Sequence, residues 1–171
     1  MNTPLQFDMF PGDQLLLDRM REEWANAITG DGAICPCCDR NGKVYRIRLN
    51  QTYALALRWI YQHGNEQGWI NVQNNGPRVI LKGKNYGMLA HWGLLEPFGK
   101  RSGIWRVTSK GKEFVSGHIT VPASVFIYDD KVWGFSDEKI TFKGCFKEFF
   151  DFDEMMSARF DWTKVNQGKK P

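Results

Sequence analysis

Long apolar runs and a secretion leader are both missing from this 171-residue chain. Its apolar runs are only a few residues long, whereas a membrane-spanning helix needs about 20 apolar residues. The first residues, MNTPLQFDMFPGDQ, contain aspartate and have neither the basic start nor the apolar centre of a signal peptide. We therefore expect a cytoplasmic protein that does not enter a membrane.

Motifs of the common enzyme classes are absent too. The chain has no HExxH, GxSxG, Walker A or dinucleotide-binding pattern, and GKNYG only partly matches a glycine-rich loop. Four acidic side chains near the C-terminus could bind Mg²⁺, but we favour the polar side of an amphipathic helix. The acids are Asp151, Asp153, Glu154 and Asp161, and Phe149, Phe150, Met155 and Met156 would pack inward. We expect no enzyme activity.

Cysteine is scarce, and three of the four cysteines lie in the motif CPCC. Cys35 and Cys38 have the spacing of half a zinc site, but a structural site needs four ligands. No second CxxC or Cys/His pair follows; Cys145 and the three histidines are scattered. Two interpretations stay open: a zinc site that includes Cys35 and Cys38, or a tight turn with reduced thiols.

Acidic residues are rare in the middle of the chain. Residues 40–112 contain thirteen Lys/Arg and two acids, a net charge of +11, although the whole chain carries only +4. The flanks are acidic, with −5 over residues 1–39 and −2 over residues 113–171. A basic segment of this kind is typical of a polyanion-binding face. The alternative is a basic surface that serves solubility or docks the protein's own acidic ends.

Residue periodicity predicts the secondary structure. An amphipathic helix is expected from Pro11 to Ala27, an alternating strand from Val44 to Leu49, and a helix capped by Asn50 and running to about Gln62. WINV predicts a short strand, NNGPRVILKG a short helix from near Pro77 or a loop, and the stretch from Asn85 to Trp92 a helix ending at Gly93. The segments LLEPF and GIWRVT predict two strands, Ser109 begins a helix, and VPASVFIYDDKVWGFS predicts a hairpin turning at residues 129–131.

This order of elements is that of a winged helix, whose two-stranded hairpin forms the wing. The loop between the hairpin strands contains Gly99, Lys100, Arg101 and Gly103. Glycine allows the close approach of a DNA backbone, and adjacent Lys and Arg can meet phosphates. We therefore predict an α+β fold: a winged helix-turn-helix core with an N-terminal helix, a cysteine-containing knuckle, and a C-terminal β-hairpin plus helix. The expected divisions are 1–30, 31–49, 50–117 and 118–171.

The candidate DNA-binding residues follow from this fold. The helix near Asn85 would face the major groove with its N-terminal end, where side chains reach bases or phosphates. The alternative is that Tyr86 belongs to the core and that the lysines are ordinary solvated charges. The complete predicted set is Lys82, Lys84, Asn85, Tyr86, Lys100, Arg101, Arg106, Lys110, Arg46 and Arg48.

A resemblance supports the same fold. HWGLLEP followed by a basic loop and GIWRVTSKGKEFV resembles the wing and following helix of MarR- and PadR-type winged-helix regulators. Over a longer span the chain is similar to a family of small tailed-phage and prophage proteins. That family combines a CPxC knuckle, a WGLIE-like helix end, a WRVT-x-KG step and a VP-x-x-V-x-I-Y hairpin. The resemblance implies a winged-helix core and a phage origin, and it implies no biochemical activity.

Two functions are compatible with the sequence. The first is an accessory or regulatory phage protein that binds duplex DNA through its basic wing and helix, in the host cytoplasm. The second is a phage-encoded interaction or inhibitor protein that binds a host enzyme or defence complex. The aromatic C-terminal hairpin could cover the core or contact such a partner. The sequence predicts no oligomeric state.

Overall fold

A computed structural model describes residues 11–36, 38–83, 85–163 and 165. The fold is mixed α+β, which confirms the predicted class at that level. The helices are α1 (Pro11–Ile28), α2 (Gln51–His63), α3 (Val72–Asn75), α4 (Arg78–Leu81), α5 (Ser109–Val115) and α6 (Phe152–Met156), with 3-10 helices at Tyr86–Trp92 and Lys143–Cys145. The strands are β1 (Ala33–Ile34), β2 (Asn41–Gly42), β3 (Tyr45–Arg48), β4 (Ile70–Asn71), β5 (Leu95–Pro97), β6 (Ile104–Val107), β7 (Val121–Pro122), β8 (Ser124–Tyr128), β9 (Lys131–Phe135) and β10 (Lys139–Ile140).

The strands form four small antiparallel sheets. Two sheets have three strands each, in the orders β4-β6-β5 and β3-β8-β9. The pairs β1-β2 and β7-β10 form the other two. Strand β3, from the basic segment, therefore pairs with the C-terminal hairpin, a long-range contact that periodicity does not predict.

Local signals in the sequence set several element boundaries correctly. The Asn50 side chain accepts hydrogen bonds from the Thr52 and Tyr53 amides and so begins α2. Gly93, with φ of 70°, ends the 3-10 helix in the left-handed region that favours glycine. The hairpin β8–β9 turns at Asp129 and Asp130, both with positive φ, as two-residue hairpin turns require.

Two predicted elements differ in type or extent. The predicted helix at Asn85–Trp92 is a 3-10 helix over Tyr86–Trp92, whose first residues lack a side-chain cap from Asn85. The predicted strand WINV is shorter, because the Asn71 side chain accepts from the Asn74 amide and starts α3 at Val72. The ambiguous segment contains α4, which begins directly after Pro77.

One hydrophobic core extends through most of the chain. Its buried side chains run from Leu49 to Met155, so the core crosses the boundary predicted at residue 117. Phe114 of α5 meets Phe142 edge to face at 5.6 Å, and the Trp92 indole donates to the Pro122 carbonyl at 2.8 Å. The C-terminal segment therefore packs on the same core as residues 50–117.

The two terminal helices bury less apolar surface than predicted. Phe149 is 97% exposed rather than packed inward, because α6 begins only at Phe152, after the Asp151 cap. In α1, Ile28 is buried, whereas Leu15 and Leu16 are exposed. Trp24 of α1 packs against Tyr128 at 5.6 Å. Among the described residues, no helix is long and apolar enough to cross a membrane.

Candidate nucleic-acid interface

The loop between β5 and β6, residues 98–103, carries two exposed predicted cations. A hydrogen bond from the Phe98 amide to the Ile104 carbonyl closes the loop at 3.0 Å. Gly99 and Gly103 have φ of 140° and 69°, and Arg101 also has a positive φ, 58°. A non-glycine residue in that region is uncommon. The two glycines thus allow the turn that presents Lys100 and Arg101 to solvent.

The base of this loop is fastened to α3. The Val72 amide donates to the Gly103 carbonyl at 3.0 Å, and a Cβ on Gly103 would lie 3.2 Å from the Gln73 side chain. Arg101 and Gln73 line a cavity of about 210 Å³ together with Tyr86 and Gly87 from the start of the 3-10 helix. The structure therefore places the loop and the N-terminal end of that helix side by side.

The 3-10 helix itself offers little surface for reading bases. It buries Tyr86, Leu89 and Trp92, while Asn85 at its start is exposed. Seven residues at about 2.0 Å rise each make it roughly 14 Å long. Of the two predicted contacts within Asn85–Trp92, Asn85 is exposed and Tyr86 is buried.

Tyr86 is a correction to the predicted contact set. It is 8% exposed and meets the Trp105 ring edge to face, with centroids 5.9 Å apart. Burial raises the pKa of its phenol, so the side chain stays neutral at physiological pH. Tyr86 therefore anchors the helix to strand β6 and does not form part of an exposed contact surface.

An acidic turn lies against the second half of the 3-10 helix. The His91 Nε2 atom is 3.6 Å from the Asp130 carboxylate, at the tip of the β8–β9 hairpin. Asp130, Asn85 and Trp105 line a cavity of about 300 Å³ with the exposed parts of the helix. A carboxylate here disfavours phosphate, so the N-terminal end is the part of the helix best suited to DNA.

Arg106 and Lys110 have structural partners. Arg106 forms an ion pair with Glu96, directly opposite on β5, and its guanidinium lies 4.4 Å from the centre of the Trp69 ring. Lys110 Nζ donates to the Trp92 carbonyl at 2.8 Å, near the C-terminal end of the 3-10 helix. Both residues thus have structural roles at the β-sheet and the helix end, and their assignment as phosphate contacts stays a prediction.

Arg46 and Arg48 belong to another sheet. Both lie on β3, which pairs with β8, whereas the loop 98–103 joins strands of the β4-β6-β5 sheet. Arg46 Nε donates to Ser124 Oγ at 3.0 Å, and Arg48 forms an ion pair with Glu138 at 2.9 Å. The structure does not bring these two arginines into one site with the loop.

The remaining predicted cations are Lys82 and Lys84. Lys82 follows α4 and is exposed. Lys84 lies outside the described residues. The residues that can form one exposed basic surface with the loop are thus Lys82, Asn85, Lys100 and Arg101.

Cys35 and Cys38 lie between strands β1 and β2. The Cys35 amide donates to the Arg40 carbonyl, and the Asp39 amide donates back to the Cys35 carbonyl. Cys35 is half-buried and Cys38 is exposed, while Cys37 lies outside the described residues. In the described ranges, no three His, Cys, Asp or Glu side chains are grouped to bind a metal ion. A zinc site at Cys35 and Cys38 stays a prediction.

Sequence reasoning missed Glu96 and Trp69, which control the exposure of Arg106. One signal was available: Glu96 and Arg106 fall opposite each other when the predicted strands LLEPF and GIWRVT are folded into a hairpin. Trp69 contacts Arg106 because β4 pairs with β6, a long-range pairing that local sequence patterns do not predict.

No protein-family model, curated protein or solved structure matches the chain.

Proposed function

We propose that the chain binds duplex DNA through a winged-helix unit formed by residues 50–117. The sheet order β4-β6-β5 supports this interpretation, since the strand after the first helix pairs with the second strand of the wing hairpin. The observation that carries the proposal is the exposed Lys100–Arg101 pair on a loop fixed beside the start of the 3-10 helix. Phosphates are the natural partners of such a pair.

The binding would depend mainly on the DNA backbone. Lys82, Lys100 and Arg101 are cations at this face, and Asn85 and Gln73 are exposed side chains with an amide suited to a base edge. Because the 3-10 helix is short and Asp130 lies on its second half, sequence discrimination should be modest. DNA binding that depends mainly on the backbone fits an accessory or regulatory protein. The sequence resemblance implies a phage origin for it.

Fluorescence anisotropy on a random-sequence duplex tests the proposal. If about three to four phosphates are contacted, the slope of log K against log salt should be roughly −3 to −4. Asn85→Ala should weaken a preferred site more than random sequence. No binding at about 50 mM salt, or binding that salt does not change, would overturn the proposal.

A second candidate function is that of an interaction protein that binds a host enzyme. The specific observation that favours it is the exposure of Leu15 and Leu16 on α1, at 73% and 59%. Adjacent exposed leucines on a helix are a common feature of protein-binding surfaces. Substituting both leucines by serine should leave DNA binding intact and abolish capture of such a partner.

A further inference from the structure

The sheet β3-β8-β9 has one face toward the core and one away from it. Val125 and Ile127 of β8 are 0% and 6% exposed and belong to the core. Residues alternate along a strand, so Phe126 and Tyr128 point to the opposite face. Cross-strand pairing adds further residues to that face, which we call the outer sheet face. It consists of Arg46, Arg48, Phe126, Tyr128, Lys131 and Gly134.

Aromatic surface is accessible on this face. Phe126 is half-buried and lies between Arg46 on one neighbouring strand and Gly134 on the other. A Cβ built on Gly134 meets nothing within 4 Å, so the space beside the Phe126 ring is open. The Tyr128 ring is less open, because Trp24 of α1 and Trp133 both meet it edge to face, at 5.6 and 6.0 Å. The face therefore presents the Phe126 ring to a flat ligand.

A cation lies beside the Phe126 ring. Arg46 is exposed, and its bond to Ser124 Oγ anchors the guanidinium through one of its three nitrogens. Arg48 is balanced by Glu138, and Lys131 directly follows Asp129 and Asp130 in the hairpin turn, so Arg46 is left as the phosphate contact. A ring beside a cation matches a ligand with alternating bases and phosphates.

We propose that the outer sheet face binds single-stranded nucleic acid, with a base stacked on Phe126 above Gly134 and a phosphate held by Arg46. A duplex fits this face poorly, because its bases are already stacked on one another and their flat sides are hidden. The exposed Arg46 guanidinium beside the ring favours a phosphate-bearing ligand over an apolar protein surface. This site is separate from the wing loop and does not depend on duplex binding there.

Gly134→Val provides the sharpest test. The φ of Gly134 is not in the left-handed region, the added side chain has room, and valine suits a strand, so the fold should be kept. The valine would fill the space in which a base stacks. Anisotropy with a labelled oligothymidine of about 15 nucleotides should show a roughly tenfold higher Kd, since stacking on one ring contributes about 1–3 kcal/mol. Thermal melting of the variant checks the fold.

Two further variants separate this site from the wing. Arg46→Gln should also weaken oligothymidine binding and lower its salt slope by about 0.7, the value for one phosphate of a single strand. The double change Lys100→Ala with Arg101→Ala should leave oligothymidine binding unchanged, and Gly134→Val should leave duplex binding unchanged.

Three results would contradict or redirect the proposal that the outer sheet face binds single-stranded nucleic acid. No oligothymidine binding at about 50 mM salt, or an unchanged Kd for folded Gly134→Val, overturns the proposal. Self-association that Gly134→Val abolishes, without oligonucleotide binding, overturns it in favour of a second copy as the occupant. Loss of duplex binding alone concerns the wing and leaves the outer sheet face standing.

Discussion

At the scale of single residues, burial decides which cysteine can react. Cys145 is 7% exposed in the core, and burial raises the pKa of its thiol to about 12. Since the thiolate is the nucleophile, a thiol with this pKa is almost entirely protonated and unreactive at pH 8. Cys38 lies in the turn of the β1–β2 hairpin and is exposed.

Alkylation of the folded protein should therefore separate these two thiols. With iodoacetamide at pH 8, Cys38 should be modified at least tenfold faster than Cys145, in keeping with thiolate control of reactivity. In denaturant the two rates should become similar. Peptide mass spectrometry over a time course gives both rates, and rapid modification of Cys145 in the folded chain would contradict its placement in the core.

At the scale of elements, the β5–β6 hairpin depends on Arg106. The residue combines an ion pair with Glu96 and a cation–π contact with Trp69, which joins three strands. Both charged side chains are about 40% exposed, so solvent weakens their ion pair. The contribution of Arg106 is therefore to packing and register rather than to ligand binding.

Substitution of Arg106 should change stability and leave the salt dependence of DNA binding alone. Arg106→Ala should lower the free energy of unfolding by about 1–2 kcal/mol, from the lost ion pair and ring contact. Arg106→Lys should recover part of this, because it keeps the charge and loses the planar guanidinium. Urea unfolding measures the first effect. A salt slope lower by about one unit in Arg106→Ala would instead make Arg106 a phosphate contact.

Sequence reasoning succeeded where the signal is local. Asn50 as a cap, Gly93 as a helix end and the turn at Asp129 and Asp130 each act within a few residues of the boundary they set. It also predicted the Lys100–Arg101 loop between two strands, because glycine and charge at a hairpin tip are visible in the sequence.

The rest of the candidate site depends on tertiary contacts. The Arg106 guanidinium packs on the Trp69 ring, and Trp69 lies 37 positions away in the sequence. Arg46 lies in a different sheet from the wing, because β3 pairs with β8. Tyr86 is buried because it packs against the ring of Trp105, a residue of strand β6. A tyrosine at a helix start has the same local pattern whether it is buried or exposed.

At the scale of the whole molecule, the basic residues of 40–112 differ in their contacts. Of the predicted cations, Arg46, Arg48, Arg106 and Lys110 have side chains with partners in the protein, whereas the exposed side chains of Lys82, Lys100 and Arg101 have none among the described residues. The net charge of residues 40–112 therefore overstates the cations available at one surface. We therefore assign the phosphate contacts of the proposed duplex binding to the exposed loop.

The salt dependence of duplex binding by the double variant Lys100→Ala with Arg101→Ala tests that assignment most directly. Both side chains are exposed at a loop tip, so the melting temperature should stay nearly unchanged. The matched control is Lys100→Arg with Arg101→Lys, which keeps both charges. For the double alanine variant we expect weaker binding to every duplex alike and a salt slope lower by about two units. A double alanine variant that binds duplex DNA as tightly as the parent at every salt concentration would contradict the assignment.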